Sequence, residues 1–150
     1  FGFSSDIWYG SSDINFIESS NPSIPTKALL GLLNSSFYYA WFYNRGKRKG
    51  KLLELFQVPI AESPAPILNS ENVRLLKKLE NLVGEAIAMS KSGVNTATEP
   101  IEIAIDELVG QIFGCTKEQT SLVMSWAKST KSDLPDVNDV TNEGGMEDSA

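Results

Sequence analysis

Fifteen residues, Phe37 to Lys51 (FYYAWFYNRGKRKGK), set the tightest limit on how this chain folds, because six aromatic side chains run directly into five positive charges. Aromatic rings carry large apolar surfaces that are best removed from water, whereas cationic heads resist leaving it. The edge of any core therefore passes close to Asn44, and the stretch from Asn44 to Lys51 stays outside. Gly46 and Gly50 would let such a loop approach a partner closely. A basic, flexible loop beside an aromatic helix suits a polyanion, and nucleic acid is the commonest in a cell. The same residues also read as a solvated turn after an amphipathic helix. On the first reading Arg45, Lys47, Arg48, Lys49 and Lys51 meet phosphates or a groove edge, and Asn44 is a candidate base reader.

The net charge of -6 argues against nucleic acid only until its distribution is examined. From Lys131 onward one lysine is set against Asp133, Asp136, Asp139, Glu143, Glu147 and Asp148, a net of -5 that leaves -1 for the other 130 residues. This end is poor in large apolar residues, and disorder is expected after about Ser129. The chain thus divides into residues 1–130, one domain's worth of folding material, and an acidic tail at 131–150. Beginning at Phe1 without methionine, it reads as a piece of something longer or as a processed chain. It shows neither a secretory signal nor an apolar run near the roughly 18 to 20 residues that span a bilayer. A single cysteine, Cys115, fits a reducing, cytoplasmic setting.

Residues 1 to 20 are rich in β-formers, with Ile7, Trp8 and Tyr9 separated from Ile14, Phe16 and Ile17 by a Gly10–Asp13 turn. A short hairpin or two strand fragments are expected there, with a further strand over Leu52 to Phe56. Thr26 to Tyr43 has apolar residues on most faces and reads as one largely buried helix, interrupted by Asn34, Ser35 and Ser36, which cap, kink or make a polar contact. Pro59, Pro64 and Pro66 predict an extended connector. Ser70 is the expected N-cap of a helix to Ser90, whose broad apolar stripe implies two packed partners. After a link at 92–98, Ile101 to Ile112 forms an amphipathic helix closed by Gly114, and Thr116 with Gln119 has capping-box spacing for a last helix. The fold class expected is α+β and predominantly helical: a short β element, then a helical scaffold, then a disordered acidic end.

Catalytic chemistry is hard to find. The absence of histidine removes the usual general base and metal ligand, and one cysteine cannot make a thiolate zinc site. No glycine-rich loop has phosphate-binding spacing. Glu54, Glu102, Asp106 and Glu107 offer carboxylates, but the Glu102–Asp106 pair reads as a solvated helix face or a helix-dipole complement. No catalytic residue and no metal or cofactor site is assigned within the chain.

Three segments in fixed order carry a resemblance. Leu29-Leu30-Gly31-Leu32-Leu33-Asn34-Ser35 leads through the aromatic helix and the basic glycine loop to Glu54-Leu55. Val58-Pro59-Ile60 and a prolyl stretch precede a long helix, and Ile105 to Gln119 reads IDELVGQIFGCTKEQ. Together, over roughly Ala28 to Trp126, these resemble the carboxy-terminal part of the TaqI-like specificity domain of adenine-N6 DNA methyltransferases, a group that includes fused restriction–modification enzymes and phage-defence methylases. That family shows an LLxxLNS helix, a PIP-like turn and a closing IDxLVxxLYGLTxEE pair of helices. Here Phe113 replaces the family tyrosine, Cys115 a leucine, and Ala61 a frequent second proline. The resemblance implies a DNA target-recognition module working beside a methyltransferase domain that uses S-adenosylmethionine, in a bacterial or archaeal cytoplasm. The Asn-Pro-Pro-aromatic tetrapeptide and the cofactor-binding glycine strand-loop of that domain are missing from this sequence. The partners implied are double-stranded DNA and the catalytic domain, with no membrane. The alternative is a helical docking module, as in type I specificity subunits, in which the Ser70–Ser90 helix packs between subunits.

Overall fold

The computed structural model describes residues 1–5, 14–49, 52–55, 57–91 and 98–133. Its order is α1 (Thr26–Asn34), α2 (Ser36–Arg45), β1 (Lys47–Lys49), β2 (Leu52–Glu54), α3 (Gln57–Ala61), α4 (Ser70–Lys91), α5 (Thr98–Ile112) and α6 (Lys117–Asp133). Helix dominates. The opening β element is not seen: Ile14, Phe16 and Ile17 belong to no strand, while 6–13 lie outside the described residues. An isolated strand pair is marginal in water, and Ile17 packs against the helical core instead.

The long helix from Thr26 is two helices. Ser35 takes an extended conformation (φ -68°, ψ 158°), its Oγ donates to Leu32 O at 2.7 Å, and it accepts from Tyr38 N at 3.3 Å. Ser35 thereby ends α1 and caps α2, a use of serine that competes with helix continuation. The two pieces then aim separate apolar faces at one core. Ala28 and Leu32 from α1, Phe42 from α2, Leu76 and Leu79 from α4, and Val109 from α5 are all at most 2 % exposed. Each large side chain buried this way stabilises the fold by about 1.5–3 kcal/mol.

α4 packs on α1 along one side and on α5 along the other, which explains its broad stripe. The contact with α1 is close at Gly31, where a Cβ would fall 2.8 Å from Val83 Cγ2 and 3.0 Å from Leu79 Cδ1. The α4 cap is Asn69, not Ser70: Asn69 Oδ1 accepts from Asn72 N at 2.8 Å, so the helix begins at Ser70 itself. Gly114 closes α5 with φ +70°, a conformation that glycine adopts without strain. The capping box forms reciprocally, Thr116 N to Gln119 Oε1 at 2.8 Å and Gln119 N to Thr116 Oγ1 at 3.2 Å.

Two further expectations are corrected. The first proline of the three does not belong to an extended connector, because Gln57–Ala61 is a helical turn, while Pro64 and Pro66 lie outside any helix. Pro59 sits third in it, where the backbone N–H has no helical acceptor to lose. Disorder does not set in at Ser129, since α6 runs on to Asp133. Lys131 lies 4.6 Å from the Tyr39 ring centroid, a contact that ties the last turn to α2. Residues 134–150, and the link at 92–97, lie outside the described residues.

Candidate nucleic-acid interface

Five of the six expected site residues sit at one end of α2 and on the strand that follows. Asn44 and Arg45 form the last exposed turn of the helix. Lys47, Arg48 and Lys49 form β1, paired antiparallel with β2 so that Lys47 faces Glu54, Arg48 faces Leu53 and Lys49 faces Leu52. The basic segment is thus a strand, not a loop, as far as Lys49; Lys51 lies outside the described residues. Gly46 has φ -81° and ψ 168°, an extended backbone open to any residue, so the turn out of α2 does not itself require glycine.

The aromatic half of the segment fixes this end in place. Phe42 is 2 % exposed, and Tyr38 packs between Phe42 and Phe113 with ring centroids 6.1 Å from each. Tyr38 Oη donates to Pro64 O, and burial pushes its hydroxyl up to about 12. Trp41 Nε1 donates to Pro59 O at 3.2 Å. On another side of α2, the Tyr43 ring meets Trp126 edge-on at 5.3 Å and Tyr39 lies 6.1 Å from the same indole, joining α2 to α6. Aromatic pairs of this geometry each add about 0.5–1.5 kcal/mol beyond area burial. The rod that carries the cations is therefore clamped on several sides.

Arg45 is held but not consumed. Its guanidinium lies 4.7 Å from the Trp41 ring centroid and 3.4 Å from Glu62 Oε2. Both side chains of the ion pair are more than half exposed (53 % and 55 %), so the pair contributes about 0–1 kcal/mol and does not take the charge out of water. Asn44 Nδ2 donates to Ala40 O at 2.7 Å, leaving its Oδ1 and a second N–H for other partners. Lys47 is exposed. Trp41 and Glu62 were not singled out from sequence; Trp41 was within reach, since it stands four residues before Arg45 on a helix.

Asp106 corrects the reading of its helix face as solvated. It is 8 % exposed and accepts from Ser36 N at 2.7 Å and from Ser36 Oγ at 2.6 Å. The carboxylate of α5 therefore serves the N-terminus of α2, where a negative charge is favoured by the helix dipole. Burial raises its pKa, opposed by the two Ser36 bonds and by Lys131. With both oxygens engaged, it is a poor metal ligand, and no group of three metal-ligating residues occurs among the described residues. Nor, among these residues, is any helix long and apolar enough to cross a membrane.

Scans against protein-family models, curated proteins and solved structures find no match to this chain.

Proposed function

We propose that this chain is the DNA-gripping part of a target-recognition domain, serving an adenine-N6 DNA methyltransferase of the TaqI-like kind whose catalytic centre lies in another domain. The observation that carries the reading is the cationic hairpin at the exposed end of α2, with Asn44, Arg45 and Lys47 in solvent and a buried aromatic wedge behind them. A rigid support matters because it lowers the ordering cost of binding. Phosphates would be met by Arg45, Lys47, Arg48, Lys49 and Lys51, with Asn44 offered to a base edge. S-adenosylmethionine would be bound by the catalytic domain, not by these residues.

Charge reversal tests it. Arg45→Glu, Lys47→Glu and Arg48→Glu together should weaken duplex binding about 100-fold near 0.1 M salt, while thermal stability stays nearly unchanged. If all five cations meet phosphate, log affinity against log salt should fall with a slope near -4 to -5, about 0.9 per contact. A slope near zero would exclude the reading.

The docking alternative draws less support, because α4 uses Leu75, Leu76, Leu79 and Val83 inside the fold. What favours it is exposed apolar surface elsewhere: Phe16 is 64 % and Ile67 78 % exposed. Loss of assembly without loss of DNA affinity would decide for it.

A further inference from the structure

A cavity of about 380 Å³ opens beside α2, lined by Phe37, Tyr38, Trp41 and Phe113, with Asn44 and Arg45 supplying its polar side chains. We propose that this cleft receives one unstacked nucleobase of a nucleic-acid strand whose phosphates run along the β1 hairpin. The inference rests on the DNA-contacting reading above and deepens it, by stating where a base goes once the backbone is held.

Size, chemistry and position agree. The volume lies at the lower end of ligand pockets, enough for one planar heterocycle and unsuited to a folded partner. Trp41 directs its Nε1 at Pro59 O, so what it offers the cleft is ring surface, with Phe37 beside it, while Tyr38 is only 4 % exposed. Every base has a π-face, and stacking on aromatic side chains is tolerant of sequence. Arg45 adds a flat cation, 4.7 Å from the Trp41 ring centroid and 3.4 Å from Glu62 Oε2, and a guanidinium plane is a surface on which a base can stack. Asn44 keeps an acceptor and a donor beyond its bond to Ala40, the pair needed to meet a base edge. Arg45 lines the cleft and begins the cationic run, with Lys47 two residues further on. Charge complementarity therefore brings a strand to this spot, and the cleft lies within a nucleotide's reach of it.

The test uses the full chain and two single strands of equal length, oligothymidylate and an all-abasic deoxyribose-phosphate strand. Both present the same phosphates, and only one has bases. The wild type should prefer the base-bearing strand about tenfold, and Ala40→Leu, which fills the cleft from its α2 wall, should abolish that preference. Asn44→Ala, an exposed change that leaves the core intact, should reduce the preference and guards against misfolding of the first variant. Equal affinities in the wild type, or a preference untouched by Ala40→Leu, would overturn the cleft and leave the cationic hairpin standing. Binding of neither strand nor any duplex would remove both readings together.

Discussion

The two ends of α2 treat polar groups in opposite ways. At the amino end Ser35, Ser36 and Asp106 are buried, and each hydrogen bond is made within the protein. At the carboxy end Asn44, Arg45 and Lys47 remain exposed, Asn44 making a back-bond to its own helix and Arg45 a ring contact and an exposed ion pair. The lesson is that polarity alone does not mark a functional residue. Satisfied and buried, a polar group holds the fold; supported from behind and open in front, it is available to a partner.

Asp106→Ala leaves the Ser36 N–H and hydroxyl buried without an acceptor and should cost roughly 3 kcal/mol in denaturant unfolding. A loss below about 1 kcal/mol would show that water replaces the carboxylate. The three-charge reversal at the other end should do the converse, costing about 100-fold in duplex affinity with little change in the unfolding midpoint. Ser35→Ala removes a cap and should cost about 1 kcal/mol, read from the same denaturation curves. DNA affinity of the folded protein should not follow it.

The smallest effect is in pH. Burial holds the Asp106 carboxyl above its ordinary 3.8 in the folded state, so the native protein binds that proton more tightly than the unfolded chain. The resulting stabilisation is fully present below the ordinary value and is lost as pH rises through the raised one. Wild type should therefore gain stability relative to Asp106→Asn as pH falls across that window. The opposite trend would mean that the Ser36 bonds and Lys131 outweigh desolvation.

Local signals were the most legible. The Thr116–Gln119 box and Gly114 are readable because their partners lie within a few residues. The α4 stripe announced two neighbours, and α1 and α5 supply them. The aromatic-to-cationic switch at Asn44 placed the helix's exposed end, since burying rings and solvating charges is decided residue by residue. Less legible were which of capping, kinking or polar contact the Asn34–Ser36 interruption makes, and the helical turn around Pro59, where proline is tolerated at the start of a helix. β1 escaped notice because Lys47–Lys49 has no strand-like alternation.

By itself the sequence determined a mainly helical chain, the spacing of its later helices, and a cationic stretch that cannot enter a core. Tertiary structure alone decided that Asp106 on α5 serves Ser36, 70 residues away, and that Trp41 and Glu62 hold the Arg45 guanidinium. Helical period and charge are properties of neighbouring residues, and so they are written along the chain. Whether a carboxylate is buried, and against what, depends on which distant surface the fold brings to it.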